Sequence, residues 1–161
     1  MKTIGQLHEY LATLPHPPQN YNVAVGALIF TKDDKVILLE RGKKARDAVG
    51  MLEGVGGGVD ANEHDLHAVL RREVREEIGV EIDIAAMLTV KVMPGANYPF
   101  WVAVDYLCRL KSGTPTIKEP EKIKAIHMLS LNKIQDEQLS EYQKIAMVAY
   151  RKKFGNIPFY K

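Results

Sequence analysis

Apolar residues recur along the chain with two different periods, which predict helices at both ends and in the middle, with strands between them. Near the start, four apolar residues fall on one helical stripe: Ile4, Leu7, Leu11 and Leu14. Thr3, followed by Gln6, fits a capping box at the beginning of this helix. The run Pro15–Pro18 then ends it, because proline lacks the amide donor and restricts the residue before it. We therefore divide the chain into an amphipathic helix with a proline-rich connector, residues 1–20, and a main domain, residues 21–161.

Five apolar runs are typical of strands. They are Val23–Phe30, Lys35–Leu39, Val80–Val92, Phe100–Leu110 and Lys124–Leu131. The first of them is continuously apolar and rich in β-branched residues, which indicates a strand that is buried on both faces.

Two further helices are predicted from residues recurring at helical spacing. One runs from about His64 to Ile78, and Gly79 stands where a left-handed C-terminal residue is expected. The other runs over Ser140–Phe154, and Ser140 with Gln143 again fits a capping box. The order of these elements along the chain is helix, strands, helix, strands and helix. This order predicts an α/β fold, in which helices cover both faces of a mixed sheet.

Composition narrows the class of protein. A chain of 161 residues fits one main domain, and 22 basic against 20 acidic residues leave a net charge of +2. Such a balance gives no support to general nucleic-acid binding. The single cysteine, Cys108, has no partner for a disulfide, and no apolar run is long enough to cross a bilayer, so we expect a cytoplasmic protein without membrane contact. The stripe of the first helix is expected to dock on its own domain or on a second subunit, as in a homodimer.

Three glutamates carry the candidate chemistry. Glu73, Glu76 and Glu77 stand at i, i+3 and i+4 of the predicted middle helix, so all three project near one face. Like charges at this spacing repel each other, and the C-terminal half of a helix disfavours anions. A hard divalent cation such as Mg²⁺ or Mn²⁺ would reverse both effects. The competing interpretation is a solvated acidic face that neighbouring arginines neutralise.

Glycines precede this helix. Five of the nine residues in Gly50–Gly58 are glycine, and Gly56, Gly57 and Gly58 are consecutive. Bare backbone of this kind lets carbonyl and amide groups approach a metal ion or a phosphate closely. An ordinary turn is the alternative for the glycines alone, but glycines followed by an acidic residue and an acidic helix are a much rarer combination.

Together these residues resemble the signature of the Nudix hydrolase superfamily. That signature has a glycine, five residues, Glu, seven residues, Arg-Glu, an aliphatic residue, one residue, Glu-Glu, one residue, Gly and an aliphatic residue. The matching residues here are Gly57, Glu63, Arg72, Glu73, Val74, Glu76, Glu77, Gly79 and Val80. The chain departs from the pattern in two ways. Eight residues instead of seven separate Glu63 from Arg72, and Val55 stands where the family often has proline.

The resemblance implies an α/β/α sandwich and a metal-dependent hydrolase. It implies that Glu73, Glu76 and Glu77 bind Mg²⁺, or alternatively Mn²⁺, with help from the Gly56 carbonyl. Arg72 would orient these glutamates through ion pairs, and Glu63 would be an accessory acidic group. Family members often take a general base from a loop outside the signature, and here Glu121 is our candidate, with an ordinary turn residue as the alternative.

Substrate contacts are expected from residues around the signature. Gly57 and Gly58 would approach the substrate through their backbone, Arg46 would reach its phosphates, and Tyr98 would stack on a nucleobase. The alternatives are a merely solvated loop for Arg46 and a core position for Tyr98.

The resemblance implies a Mg²⁺-dependent enzyme that cleaves the diphosphate linkage of a nucleoside diphosphate joined to another group, X. The alternative function is a catalytically weak or inactive Nudix domain that binds a nucleotide or a partner. The identity of X does not follow from these residues.

Overall fold

The computed structural model describes residues 1–93 and 100–161. Its helices are α1 (Ile4–Ala12), α2 (Leu66–Ile78) and α3 (Glu141–Phe154). Its strands are β1 (Tyr21–Phe30), β2 (Lys35–Arg41), β3 (Leu52–Glu53), β4 (Val55–Gly58), β5 (Glu81–Met93), β6 (Phe100–Ser112) and β7 (Ile123–Ser130). Tyr98, the predicted stacking residue, lies outside the described residues. Within the described part, no helix is long and apolar enough to cross a membrane.

The strands form one mixed sheet, as predicted, and within the described residues this sheet has seven strands, two more than the sequence predicts. Strand β1 runs parallel to β6 along its whole length, and the other pairings are antiparallel. Strands β1 and β2 pair only at Ile29–Ile37 and Phe30–Val36. Before that point β1 pairs with β4 instead, from Ala24 to Ala27. Strands β1 and β2 therefore separate over the first part of β1, and the residues of β1 from Ala24 to Leu28 line a cavity there.

Helices cover both faces of the sheet, which confirms the predicted sandwich. Because side chains alternate along a strand, Val25, Ala27 and Ile29 of β1 pack in one core cluster with α1 and α2. Leu28 and Phe30 point the other way and pack with α3. The functional side chains described below are distributed over the same two faces.

The ends of the helices follow the predicted signals with two differences. Thr3 and Gln6 form the predicted capping box, and Gly79 ends α2 with a φ of 68°. Helix α2 begins after Asp65, whose side chain accepts two backbone N–H bonds, rather than at His64. The second capping box is wrong. Ser140 caps α3 through the Gln143 N–H, but the Gln143 side chain accepts a hydrogen bond from Gly54 N instead.

Helix α1 packs on the same core as α2. Leu7 and Leu11 are buried in that core, and Ile4 N donates to the carbonyl of His64 just before α2. Leu66 N in turn donates to the carbonyl of Lys2. The apolar stripe of α1 is therefore covered by its own chain.

We predict that Leu7→Ala lowers the free energy of unfolding by about 2–5 kcal/mol, because it leaves a cavity where a fully buried side chain packs. Urea denaturation measures the change. Glu9→Ala, on the exposed side of the same helix, is the matched control and should stay within about 0.5 kcal/mol of the unmodified protein. Equal stabilities of the two variants would contradict the packing of α1.

We also predict that Cys108 does not react with thiol reagents while the protein is folded. The side chain is fully buried in β6, and burial raises the pKa of its thiol to about 12. At about pH 8 the thiol is therefore protonated as well as inaccessible, and only the thiolate is reactive. A chromogenic thiol reagent should report no free thiol in buffer and one thiol per chain in urea. Rapid labelling in buffer would contradict the burial.

Candidate functional site

Helix α2 brings two of the three predicted glutamates against strand β4, which we call the glycine strand. The carboxylate of Glu73 lies beside Gly57, and Glu77 accepts a hydrogen bond from the Gly56 N–H at 3.0 Å. Residues four apart lie on one side of a helix, so Glu73 and Glu77 face the strand together. Glu76 points away from it. Its side chain is 53% exposed, compared with 14% for Glu73.

The glycines make this contact possible. A Cβ at Gly57 would overlap the Glu73 carboxylate, and a Cβ at Gly56 would overlap the backbone of Val25. Gly58 faces the opposite side of the strand, where a Cβ would lie 3.9 Å from the Trp101 ring. Neighbouring residues of a strand point to opposite faces, so Gly57 meets the acidic helix and Gly58 meets the cavity described below.

Arg72 connects the acidic residues of the signature. Its guanidinium binds both carboxylate oxygens of Glu63 at 2.9 Å, and it contacts Glu73 at 2.7 Å and Glu76 at 3.0 Å. The paired guanidinium holds the pKa of Glu63 below its usual range. The extra residue between Glu63 and Arg72 is accommodated in the turn before α2, so Glu63 still reaches Arg72.

Burial and crowding of negative charge perturb the carboxyl groups. Burial, with smaller contributions from Glu73, Glu119 and Glu53, raises the pKa of Glu77 to about 8, although the Gly56 N–H opposes the shift. Burial also raises the pKa of Glu73, against the opposing effect of Arg72. Four carboxyl groups therefore converge on the glycine strand: Glu53, Glu73, Glu77 and Glu119. This concentration of acidic groups favours a cationic ligand.

The donor chemistry fits Mg²⁺ or Mn²⁺, since carboxylate oxygens are the ligands that hard cations prefer. The present side-chain arrangement is not a complete ligand set. Among the described residues, no three acidic, histidine or cysteine side chains stand close enough together to hold a metal ion. Arg72 contacts two of the three predicted ligands, Glu73 and Glu76. The Gly56 N–H is engaged with Glu77, and the metal-binding role of the Gly56 carbonyl stays a prediction.

Two acidic residues near the glycine strand, Glu119 and Glu53, were not predicted from the sequence. Glu121, the predicted general base, is largely exposed, and its carboxylate is paired with Lys44 at 2.7 Å. Glu119, two residues earlier in the same loop, acts electrostatically on both Glu73 and Glu77 and is paired with Lys122 at 2.9 Å. Glu53 immediately precedes the glycines, and that adjacency was the one available signal for it.

A cavity of about 370 Å³ opens beside the glycine strand, between the sheet and the beginning of α3. Glu77, Gly57 and Gly58 line it, as do five cationic residues of the described part of the chain: Arg41, Lys44, Arg46, Lys91 and Lys122. The Arg46 guanidinium lies over the Trp101 ring, 4.6 Å from its centre. The structure thus brings Gly57, Gly58 and Arg46, three predicted substrate contacts, to the wall that Glu77 also lines.

Comparisons with known proteins identify the family of this chain. The family model of the NUDIX domain matches residues 20–149. No curated protein sequence matches the chain. A crystal structure of a MutT NUDIX hydrolase from Burkholderia pseudomallei is 30% identical, with a TM-score of 0.72 over 81% of this chain and 98% of that one.

More distant structures share the fold. A NUDIX hydrolase from Nitrosomonas europaea is 20% identical, with a TM-score of 0.68 over 83% of this chain and 90% of its own. The NUDIX domain of Shewanella oneidensis NrtR, solved in complex with ADP ribose, is 20% identical, with a TM-score of 0.67 over 91% of this chain and 97% of its own. The chain belongs to the Nudix family, and its enzyme class is that of the Nudix hydrolases.

We predict that Gly57→Ala lowers turnover about tenfold or more, because its methyl group would displace the Glu73 carboxylate from the glycine strand. Steady-state hydrolysis of a nucleoside diphosphate derivative, measured as phosphate after phosphatase treatment of the products, reports the effect. Gly5→Ala is the control for the same chemical change, since a Cβ there would lie 3.8 Å from Thr3 Oγ1, an ordinary contact in α1. Unchanged turnover of Gly57→Ala would contradict the importance of the close approach.

Proposed function

We propose that the protein is a Mg²⁺-dependent hydrolase that cleaves the diphosphate linkage of a nucleoside diphosphate joined to another group, X. One observation carries the proposal. The acidic groups of α2 meet the glycine strand at the wall of a cavity that is large enough for part of such a substrate and is also lined by cationic residues. A diphosphate lying at this wall would be next to both the carboxylates and the cations.

Glu73 and Glu77 would hold the metal ion from the side of the glycine strand. Glu76 would join them after its side chain turns away from Arg72, which is a change of rotamer for an exposed group. When bound, Mg²⁺ supplies positive charge to the phosphate oxygens and increases the acidity of a water molecule. Mn²⁺, which prefers similar oxygen ligands, is the expected substitute.

The chain's own residues would position the substrate and accept a proton. Lys44, Arg46 and Lys122 line the cavity and carry the charge that phosphate groups require. A water oxygen attacks one phosphorus atom, the bond from that phosphorus to the bridging oxygen breaks, and the bridging oxygen leaves with the other phosphate. A carboxylate takes the proton of the water. We propose Glu119 for this role ahead of Glu121, because Glu119 is the one that is electrostatically coupled to Glu73 and Glu77.

The names of structural neighbours support a nucleotide substrate. One neighbour is a UDP-X diphosphatase, another is an ADP-ribose pyrophosphatase, and a third was solved in complex with ADP ribose. These proteins are 15–20% identical to this chain, so they support the class of substrate and leave its identity open. A cytoplasmic location remains our expectation from the single cysteine.

The alternative function, a binding domain without hydrolysis, is not favoured by any comparison. Titration with Mg²⁺ in the absence of nucleotide separates the two proposals. Binding of the metal together with hydrolysis of nucleoside diphosphate derivatives supports the enzyme, whereas neither metal binding nor hydrolysis supports the binding domain.

We predict that Glu76→Gln or Glu77→Gln lowers turnover at saturating Mg²⁺ by about a hundredfold or more, because each change removes a charged ligand while keeping the shape of the side chain. A panel of ADP-ribose, nucleotide sugars, dinucleoside polyphosphates and nucleoside triphosphates, assayed for phosphate after phosphatase treatment, measures turnover and identifies X. Glu81→Gln is the control, since that exposed glutamate pairs with Arg75 outside the site. Turnover close to that of the unmodified protein would remove the metal-binding role.

A further inference from the structure

The inner end of the cavity, which we call the slot, lies between the sheet and α3. The residues of β1 and β6 that face α3 change from small to large along the strands. Ala24, Gly26 and Ala103 are small and line the cavity, whereas Leu28 and Leu107, further along the same face, belong to the core. Ala146 of α3 lines the cavity from above. The small side chains leave space between the sheet and α3 that larger side chains would fill.

Aromatic side chains stand at the sides of the slot. Trp101 precedes Ala103 on the same face of β6, and Tyr142 lines the cavity from α3. The Arg46 guanidinium stacks on Trp101. Aromatic rings and guanidinium groups are the surfaces on which nucleobases stack in proteins.

A buried ion pair lies at the end of the slot. Asp105 extends across Gly26, its partner in the β1–β6 register, and its Oδ2 lies 2.8 Å from Lys91 Nζ. Both side chains are more than nine-tenths buried. The other oxygen, Oδ1, is the atom that extends across Gly26, and it has no hydrogen-bond partner among the described residues. Burial raises the pKa of Asp105, and the charge of Lys91 opposes that shift, while Oδ1 keeps its capacity to accept a hydrogen bond.

Gln143 provides a donor in the wall of the same cavity. Its Oε1 accepts the Gly54 N–H at 2.8 Å, and that backbone donor determines which way the amide is turned. The side chain lines the cavity and is buried, yet its Nε2 has no hydrogen-bond partner among the described residues. Gln143 Oε1 and the carbonyl of Ala27 both lie beside Gly54. Ala27 follows Gly26 in β1, and Gly26 is the register partner of Asp105. Buried amide groups are normally paired, so an unpaired one in a cavity points to a ligand.

We propose that Asp105 and Gln143 bind the edge of a guanine-type base and so select the nucleoside part of the substrate. This proposal rests on the proposed function, in which the diphosphate lies at the glycine strand. The edge of guanine presents two adjacent N–H donors and a carbonyl. A carboxylate accepts from both donors, and the amide Nε2 donates to the carbonyl. Adenine presents one amino group beside a ring acceptor, and so leaves one carboxylate oxygen without a new donor.

The test measures binding without turnover. Trp101 is the single tryptophan of the chain and lines the cavity, so its fluorescence reports occupancy of the slot. Guanosine, inosine and adenosine 5′-monophosphates are titrated separately in the presence of EDTA. We expect the guanosine compound to bind about tenfold more tightly than the adenosine compound. The inosine compound, which lacks the second N–H donor, should fall between them.

Two variants and one control test the named residues. Gln143→Glu replaces the donor with an acceptor that still satisfies Gly54, and it should weaken binding of the guanosine compound about tenfold or more. Asp105→Asn should reduce the difference between guanosine and adenosine to less than about threefold. Gln138→Glu, the same chemical change at an exposed position, should bind like the unmodified protein. Thermal unfolding of each variant checks that it is folded.

The proposal is overturned if the guanosine compound does not bind, if guanosine and adenosine bind equally, or if Gln143→Glu leaves guanosine binding unchanged. Its failure is distinguishable from failure of the proposed function. Hydrolysis of diphosphates without a base preference would remove the base site alone. Selective binding of the guanosine compound without metal-dependent hydrolysis of any diphosphate would remove the enzymatic proposal and leave the base site standing.

Discussion

The structure of the site depends on the contact between α2 and the glycine strand. Side chains alternate along a strand, so Gly57 faces the acidic helix and Gly58 faces the cavity. A side chain at Gly57 would occupy the volume of the Glu73 carboxylate. If that volume were filled, α2 could not lie so close to the glycine strand, and its carboxylates would be separated from the cavity. The acidic helix therefore packs on one side of a single strand, the glycine strand, and the cavity lies on the other side.

Gathering carboxyl groups in one place has an electrostatic cost, which Arg72 offsets by binding Glu63, Glu73 and Glu76. The Arg72 side chain is one-third exposed, so solvent weakens each of these ion pairs and their contribution to stability is small. Their main effect is to orient the carboxylates. Glu77, which Arg72 does not contact, is instead oriented by the Gly56 N–H, and burial raises its pKa.

The cavity has a different origin, in the separation of β1 from β2. Strand β4 takes the place of β2 beside the first half of β1, and small residues on the α3 face leave the space unfilled. The beginning of α3 covers this space. Gln143, in the first turn of α3, accepts a hydrogen bond from Gly54 instead of completing the capping box of the helix. A departure from the expected helix cap thus places a polar amide in the cavity wall. Local rules of helix capping did not reveal this contact, since its partner lies 89 residues away.

Much of the fold follows from local chemistry. The capping residues and the runs and stripes of apolar residues predict the three α-helices and the five longer strands to within a few residues, because these signals act over one or two turns. They do not predict the short strands β3 and β4, since the glycines of Gly50–Gly58 indicate a turn or a close backbone approach instead. The spacing of Glu73, Glu76 and Glu77 on one helix face is equally local. The sequence by itself therefore determined the layered fold, the family and the acidic face of α2. Tertiary structure alone decided that Glu119 rather than Glu121 is coupled to this face, and that Asp105 and Gln143 share one cavity, because strand pairing and helix packing bring together residues that are distant in the chain.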